Sequence, residues 1–395
     1  MPRMNLAVTL IMAFGLLAAA CGPAATPAPK TEAKPTEAPK AAAPVAAQPT
    51  AAPTAAKPVA PPATAAPAAA APPKVDTKAI EDFYKGKTVR IVVGFAAGGG
   101  YDTYARAMAR YMGKHIPGNP SIVVENQVGA GSLLAANSVY KTAPKDGTVM
   151  VHFIGGMITQ KLVVENPAVE FDPLQFSWLG APTPDTPACA VRKESGFTSL
   201  EEARSKELIV GGTAPGSTTD DVANTLRAIG LKMKVIDGYD GTAKIRLAAD
   251  SGEVMGGCWG WEAISVTWKD GLDKGEVLVI AQGGPNPHPD LKDVPMMQNL
   301  AKTDAEKRLI DAGIVGPGQI SRVFALPPGV PAERVQAMRD AFMETLKDPE
   351  LLAESQKTGL AISPIGPDEI YQRIKEMQEL PADLKQTLRA AVSGS

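Results

Sequence analysis

Three segments of β-forming residues in this chain each lead into a glycine-rich turn and then into a helical pattern. The three strand–turn pairs are 88–93 with 94–100, 121–125 with 129–132, and 208–211 with 212–218. Strands that alternate with helices form parallel sheets whose faces are covered by those helices. The pattern therefore predicts an α/β fold with largely parallel sheets.

The rest of the folded part continues this alternation. Further strands are predicted at 148–154, 233–236 and 277–281, and helices at 102–114, 133–141, 218–229 and 331–346. The helices are recognised by apolar residues that recur at helical spacing. Two shorter helices are predicted to open at Asp348 and Pro367, because proline is favoured in the first helical turn.

Each glycine turn places a helix N-terminus at the carboxyl end of a strand, where α/β folds bind ligands. Glycine lets the backbone approach a ligand closely, and the free N–H groups and the helix dipole favour an anion. We therefore predict that the three turns surround a carboxylate without a lysine or arginine clamp. The alternative is that the glycines serve only the tight turns.

Several other functions lack the residues they require. The glycine turns carry no phosphate-loop lysine, and 98–100 does not have the spacing of a dinucleotide turn. There is no nucleophile-elbow motif, and His115, His152 and His288 lie far apart in sequence. We expect no catalytic residue, cofactor or metal, although a site of paired carboxylates in a secreted enzyme stays a minor alternative.

Overall charge and composition exclude other classes. The chain has 40 basic and 42 acidic residues and a formal net charge of −2, whereas nucleic-acid-binding proteins are usually basic. Three histidines and three cysteines leave little material for a zinc cluster. We therefore expect no nucleic-acid partner.

The N-terminus has the pattern of an export signal. Arg3 precedes an apolar run at 6–20, which is shorter than the roughly 20 residues of a transmembrane helix. Small residues then lead to Cys21, and this arrangement resembles a bacterial lipoprotein signal in which that cysteine is lipidated. The alternative is an ordinary secretory signal at 1–20 with an incidental cysteine. Either reading predicts an extracytoplasmic protein, in the periplasm or at the cell surface.

Residues 21–75 form the predicted tether. Positions 22–75 contain 22 Ala and 14 Pro, and no aromatic residue, Ile, Leu or Met. Such a segment cannot bury enough apolar surface to offset the entropy of ordering, so we expect it to be disordered. Such a tether would let the folded part of a lipid-anchored protein move above its membrane.

The two remaining cysteines are Cys189 and Cys258. In an oxidising compartment they could form a disulfide. The alternative is a pair of buried free thiols, and the sequence does not decide between them.

A series of motifs resembles the solute receptors of tripartite tricarboxylate transporters, the Bug-type or TctC-like family. The segment 92–102 resembles their first binding loop, and 124–126 with 129–131 resembles the second. The segments 144–147, 238–243, 252–254, 293–295 and 324–331 match further family elements in order. The resemblance covers roughly 83–375.

This resemblance implies a two-domain periplasmic-binding-protein fold of type II, with a hinge and an interdomain cleft. Domain one is expected at 83–187 plus 312–395, and domain two at 188–311. The implied function is capture of a small organic carboxylate and its delivery to the integral-membrane permease subunits of the transporter. The receptor is expected to be a monomer. The alternative is a solute sensor that docks to a signalling partner.

The resemblance also implies which residues bind the ligand. Backbone groups of the two loops are expected to grip one carboxylate, at Phe95, Ala96, Ala97, Gly98, Gly99, Gly129, Ala130, Gly131 and Ser132. Asp102 is expected either to bind the ligand or a bridging water, or to act only as a helix-start carboxylate. The candidates on the far side of the ligand are Thr213, Ser217, Thr218, Tyr239, Gly241, Thr242 and Trp259. For 213–218 the alternative is helix capping, and for Trp259 it is core packing.

Some residues depart from the family pattern. Tyr101, a further candidate, stands where a small hydroxyl residue is common; Asp240 replaces the usual lysine, and Met255 replaces a frequent aspartate. Trp259 and Trp261 add aromatic surface. The changes remove one positive charge, so an aromatic or otherwise less charged monocarboxylate is our sequence-based hypothesis for the ligand.

Overall fold

The computed structural model describes residues 76–392. The predicted export signal at 1–20, the predicted lipidation site Cys21 and the predicted tether lie outside the described residues. Within 76–392, no helix combines the length and the apolar character needed to cross a bilayer.

The strands of the described chain vary from four to six residues. They are β1 (Thr88–Val93), β2 (Ser121–Asn126), β3 (Val149–Ile154), β4 (Ser177–Gly180), β5 (Pro187–Arg192), β6 (Leu208–Gly211), β7 (Met233–Ile236), β8 (Gly256–Gly260), β9 (Val277–Gln282) and β10 (Arg322–Leu326). The predicted strands at 88–93, 208–211 and 233–236 have these bounds, whereas β4, β5, β8 and β10 were not predicted.

Helices connect and cover these strands. They are α1 (Thr77–Tyr84), α2 (Gly100–Tyr111), α3 (Leu133–Thr142), α4 (Gly156–Thr159), α5 (Thr218–Ala228), α6 (Thr242–Asp250), α7 (Trp261–Thr267), α8 (Lys269–Asp273), α9 (Asp304–Ile310), α10 (Gly316–Gly318), α11 (Ala332–Thr345), α12 (Pro349–Thr358), α13 (Pro367–Gln378) and α14 (Ala382–Val392). Two π-helical segments, Gln160–Val164 and Asp311–Val315, continue α4 and α9. Short 3₁₀ segments occur at Met112–His115, Ala130–Ser132, Lys193–Ser195, Leu200–Arg204, Pro289–Leu291 and Met297–Leu300.

The strands form two five-stranded sheets of the same design. The order is β2-β1-β3-β10-β4 in the first sheet and β7-β6-β8-β5-β9 in the second. In each sheet the fourth strand runs antiparallel to both of its neighbours, while the pairs among the first three strands are parallel. The predicted α/β class is confirmed, but the sheets are mixed: four of the eight neighbouring strand pairs are parallel and four are antiparallel. We call the parts built on the two sheets the first lobe and the second lobe.

The chain crosses between the lobes twice. The first crossover, 181–186, joins β4 to β5, and the second, 283–321, joins β9 to β10. The backbone N–H of Asp185 donates to the carbonyl of Gly318 at 2.8 Å, so the two crossovers lie against each other. The first crossover leads directly into β5 and the second leads directly into β10. Because the crossovers lie against each other, the first residues of each strand lie close to the other crossover.

Cys189 and Cys258 are joined in a disulfide, which decides between the two alternatives left by the sequence. The two residues face each other across the antiparallel pair β5–β8, and both are fully buried. They are 69 residues apart in sequence, so the bond closes a long loop of the second lobe.

Replacing both residues, as Cys189→Ala with Cys258→Ala, should lower the free energy of unfolding by roughly 2–4 kcal/mol, because the unfolded chain regains the freedom of that loop. Urea denaturation of the oxidised protein and of the double variant measures the difference. A reductant should lower the midpoint of the unsubstituted protein and leave that of the variant unchanged. Equal midpoints for the two oxidised proteins would contradict the prediction.

Candidate functional site

Two adjoining cavities lie between the lobes at the carboxyl ends of the parallel strands. The hinge-side cavity, beside the crossovers, has a volume of about 30 Å³, and the turn-side cavity has about 100 Å³. Phe95 and Thr213 line both of them, so the two cavities meet at these residues. Since one water needs roughly 10–15 Å³ by this measure, the hinge-side cavity has room for two or three polar heavy atoms.

The residues around the cavities come from both lobes. The hinge-side cavity is lined by Phe95, Gly99, Gly100, Tyr101, Ile154, Asp185, Thr213, Ser217, Thr218, Thr219, Thr242, Trp259, Gly260, Ala263 and Arg322. The turn-side cavity is lined by Gly94, Phe95, Gly129, Ala130, Gly131, Thr213, Gly238, Tyr239 and Asp240.

Three helices of eight residues or more begin at the hinge-side cavity. The first residues of α2 and α6 and the residues Ser217–Thr219 at the start of α5 line it. None of these helices has a side-chain hydrogen bond at its N-cap, so their first N–H groups remain available as donors. Three positive helix ends directed at one small space favour an anion there.

The turn between β2 and α3 has a strained backbone. Ala130 and Ser132 are non-glycine residues with φ of 47° and 79°, and Gly131 between them has a φ of 59°. Strained backbone of this kind persists where the surroundings hold it in place, and it concentrates at functional sites. The fully buried Ser132 hydroxyl accepts a hydrogen bond from the Ile154 N–H at 3.2 Å and so anchors the turn to β3.

Glycines allow the two lobes to lie in direct contact. A Cβ atom on Gly156 would lie 2.0 Å from the carbonyl oxygen of Gly216, and one on Gly100 would lie 2.4 Å from the Ala263 Cβ. The Ala96 N–H donates to the Asp240 carbonyl at 3.0 Å across the same boundary. The structure therefore represents a closed arrangement of the lobes.

A buried ion pair lies at the hinge side of the site. Arg322 Nε is 2.6 Å from Asp185 Oδ1, and these side chains are 1% and 2% exposed. The other Asp185 oxygen accepts the Ser321 hydroxyl at 2.7 Å, and the Tyr101 hydroxyl donates to the Ser321 carbonyl at 3.0 Å. The guanidinium also lies 4.6 Å from the ring centre of Tyr104. The pair connects both crossovers with α2.

Glu262 adds a second acid to this region. Its carboxylate accepts the Thr186 N–H at 2.9 Å, at the end of the first crossover. Burial and the neighbouring Asp185 raise the pKa of Glu262 to about 7, against the lowering effect of Arg322. Close to neutral pH, both the protonated and the ionised form of this carboxyl are therefore populated.

In the second lobe, acidic residues organise the turn before α5. Asp220 accepts hydrogen bonds from the Thr213 N–H at 2.9 Å and from the Ser217 hydroxyl at 2.7 Å. Asp221 accepts the Gly216 N–H at 3.0 Å, and burial raises its pKa to about 8. The hydroxyls of Thr213 and Ser217 are thus engaged in hydrogen bonds within the turn, and both residues line the cavity. The Ser217 side chain does not cap α5, so these contacts are not the helix capping considered as the alternative.

Asp102 has the contacts of a residue that supports the first turn. Its carboxylate accepts the Gly98 N–H at 2.9 Å, the Asn126 amide at 3.0 Å and the Arg106 guanidinium at 2.8 Å. Burial alone would raise the pKa of Asp102, but the hydrogen bonds from Arg106, Gly98 and Asn126 outweigh it and lower the pKa. Asp102 lines neither cavity, and this position agrees with the helix-start alternative.

The structure brings most of the predicted ligand-binding residues together. Those that line a cavity are Phe95, Gly99, Tyr101, Gly129, Ala130, Gly131, Thr213, Ser217, Thr218, Tyr239, Thr242 and Trp259. Those that line neither are Ala96, Ala97, Gly98, Asp102, Ser132 and Gly241. The residues of the second group lie next to those of the first. They belong to the same turns, support those turns, or take part in the contact between the lobes.

Sequence reasoning missed the charged residues of the hinge. Arg322 and Asp185 line the hinge-side cavity, and Glu262 lies beside them. In the sequence these three residues are 60 to 137 positions apart. No local motif marks any of them. Only the pairing of the two crossovers brings them to one place.

Solved structures share this two-sheet arrangement. The periplasmic binding protein BugD has a TM-score of 0.62 and 21% identical residues, over 78% of this chain and 99% of its own. MatC of Rhodopseudomonas palustris, solved with bound malate, has a TM-score of 0.61 and 22% identity, over 76% of this chain and 99% of its own.

The chain has the fold of the Bug-type periplasmic binding proteins. Among sequences, a UPF0065 protein in the gbd 5′ region of Cupriavidus necator is 26% identical over 285 residues, which is 69% of this chain and 78% of that protein. No family model matches the chain. The Bug-type fold therefore rests on three-dimensional similarity together with a distant sequence relationship.

The close contact of the lobes in this Bug-type fold can be tested with Gly156→Ala. The added methyl would clash with the Gly216 carbonyl, and overpacking of this kind costs roughly 1–3 kcal/mol, so the closed arrangement should open more often. Amide hydrogen exchange at Ala96, whose N–H bridges the lobes, should accelerate roughly tenfold or more. Gly366→Ala is the matched control, because a Cβ there has no heavy atom within 4 Å. Equal exchange in the two variants would refute the interpretation.

The raised pKa of Glu262 predicts a pH dependence of the stability of this protein. The folded state holds this proton more tightly than the unfolded state, whose ordinary pKa is 4.5, so the group's contribution to stability falls as the pH rises from about 4.5 to about 7. The pKa of Asp221 is also raised, so its contribution to stability likewise falls as the pH rises.

Glu262→Gln keeps an acceptor for the Thr186 N–H and removes the titration. Urea denaturation between pH 5 and pH 7 should show a smaller loss of unfolding free energy in this variant than in the unsubstituted protein. Glu207→Gln, at an exposed position, is the control and should leave the pH profile unchanged. An identical slope in all three proteins would contradict the prediction.

Proposed function

We propose that this protein is an extracytoplasmic solute-binding receptor that captures a small organic carboxylate between its lobes. The observation that carries the proposal is the convergence of three uncapped helix N-termini, together with the strained turn 129–132, on two adjoining cavities. Such ends stabilise an anion without a reacting group. The bound malate of MatC, which has the same fold, supports the choice of a carboxylate.

The two lobes would act as the two domains of the receptor, with residues 83–187 plus 312–395 in one and 188–311 in the other. The two crossovers would be the hinge, because they are the connections between the sheets. Ligand bound between the lobes would stabilise the closed arrangement by mass action. The glycine contacts at Gly100 and Gly156 would permit that closure.

Delivery of the ligand is the next part of the proposal. We infer that the receptor serves the permease subunits of a tripartite tricarboxylate-type transporter, as the resemblance in sequence implies. Lipidation at Cys21 would hold it to a bacterial membrane, with 22–75 as a tether and the receptor acting as a monomer. The solved structures of this fold named above are binding proteins, which supports a receptor over a secreted enzyme.

The test is thermal melting of the purified full-length chain with aliphatic monocarboxylates, dicarboxylates, citrate, aromatic carboxylates, amino acids and sugars. A ligand at 100 times its Kd stabilises by about 2.7 kcal/mol, which should raise Tm by about 2 °C or more. We expect a rise with one class of carboxylate and none with the matching neutral amide. Calorimetry then gives the Kd, and the carboxylate should be recovered unchanged.

A rise in Tm with sugars alone would overturn the carboxylate proposal. An unchanged Tm with every compound of the panel would also overturn it. An aromatic acid among the hits would support the sequence-based hypothesis drawn from Trp259 and Tyr239. Chemical conversion of the carboxylate would favour the enzyme alternative.

A further inference from the structure

The last helix of the described chain, α14, lies against both lobes. By sequence it belongs to the first lobe, since it follows β10 and the helices α11, α12 and α13. It packs against the π-helical segment Gln160–Val164 of that lobe and also against α5 of the second lobe. The lobes are therefore connected by α14 as well as by the two crossovers.

The buried side of α14 is a stripe of apolar residues. Leu388, Ala391 and Val392 are buried and Leu384 is partly buried, at the spacing of one helix face. In α5, every residue from 219 to 226 is buried, so this helix is covered on the face away from its sheet as well. Part of that cover comes from α14.

Gly313 of the second crossover lies between α14 and α5. A Cβ atom on Gly313 would be 2.6 Å from Thr225 Oγ1 of α5 and 2.9 Å from Leu388 Cδ1 of α14. The crossover and the two helices thus meet at one place, and this place has no room for a side chain at position 313.

Arg389 attaches α14 to the first lobe. Its Nε and Nη2 donate to the Val163 carbonyl at 3.1 Å and 2.9 Å. Val163 lies at the end of the π-helical segment, where carbonyl groups lack partners within the helix and a nearby cation is favourable. Arg389 Nη2 also pairs with Glu165 at 2.7 Å, but Glu165 is exposed, so this ion pair contributes little.

These contacts lie some distance from the cavities between the lobes. Ser217–Thr219 line the hinge-side cavity, and Thr225 is six to eight residues further along α5, which is roughly 10 Å in a helix. No residue of α14 (Ala382–Val392) lines either cavity. The lobes are therefore held together both at the glycine contacts described above and, further from the cavities, through α14.

A third cavity lies beside the second crossover. It has a volume of about 310 Å³, and its lining includes Val163 of the first lobe, Ala312 and Pro317 of the crossover, Met377 of α13 and Leu384 of α14. Protein interiors are close-packed, so a segment can shift only where there is space. This cavity leaves the crossover room to move when the lobes rotate, and the contacts of α14 act where the packing of the crossover is incomplete.

We propose that α14 stabilises the closed arrangement by holding α5 of the second lobe against the segment 160–164 of the first lobe. Rotation of the lobes about the crossovers would move α5 away from this segment. The helix α14 would then lose either the contact of Leu388 or the hydrogen bonds of Arg389, so it sets how often the lobes open without ligand. This inference goes beyond the proposed function and does not depend on which ligand binds.

Leu388→Ala in the full-length chain, without ligand, tests the contact with the second lobe. Amide exchange at Ala96, whose N–H bridges the lobes, should accelerate roughly tenfold or more, because the closed arrangement loses packing that the open one lacks. Exchange at Ile91, in the strand β1 between β2 and β3, reports global unfolding. Leu351→Ala is the matched control, since Leu351 is also fully buried but lies in α12, which packs against α2 of the first lobe.

Arg389→Met tests the attachment to the first lobe. It keeps the aliphatic stem and removes both hydrogen bonds to the Val163 carbonyl, so exchange at Ala96 should accelerate roughly threefold or more. Arg373→Met is its control, because the Arg373 guanidinium pairs with Glu369 on its own helix.

The two amides separate opening of the lobes from a general loss of stability. The proposal requires that exchange at Ala96 accelerate more in each variant than in its control, while exchange at Ile91 changes no more than in the control. Equal exchange at Ala96 in variant and control would overturn it. Equal acceleration at both amides would also overturn it, since α14 would then contribute only to overall stability. If Leu388→Ala does not fold, Arg389→Met decides by the same criteria.

Discussion

The buried ion pair between Arg322 and Asp185 is the interaction on which the arrangement of this molecule depends. Each partner stands at the end of one crossover, so the pair fixes the two connections between the lobes relative to each other. Removing one partner of a buried pair leaves an uncompensated charge, which typically costs about 3–5 kcal/mol. Ser321 and Tyr101 extend the pair to α2, and this helix begins at the candidate ligand site.

The candidate site combines a buried ion pair at the two crossovers with turns that present backbone atoms to the cavities. Gly100 lets α2 meet α7 of the second lobe, and Gly156 lets α4 meet the turn before α5, at places where a side chain would collide. The helix N-termini then act from a short distance, in surroundings from which most water is excluded, so their partial charges are screened less than at a surface. Recognition of an anion can thus rest on backbone geometry.

Much of the fold could be predicted because its signals are local. The strand β1 and the helix α3 follow from apolar runs and helical spacing, and the glycine turns follow from composition. The strand β8 was missed because its sequence, Gly-Gly-Cys-Trp-Gly, has little β propensity, and it is held by pairing with β5. The antiparallel strand β10 was missed because its place in the first sheet depends on a crossover from the other lobe.

The sequence by itself determined the α/β class and the glycine turns, because each depends on neighbours within a few positions. Its resemblance to a known family indicated many of the residues that line the two cavities. The sequence also limited the disulfide to Cys189 and Cys258. Only the tertiary structure decided that these cysteines pair, and that Arg322, Asp185 and Glu262 meet. Those contacts join residues far apart in the chain, and they form only where two sheets and two crossovers pack together.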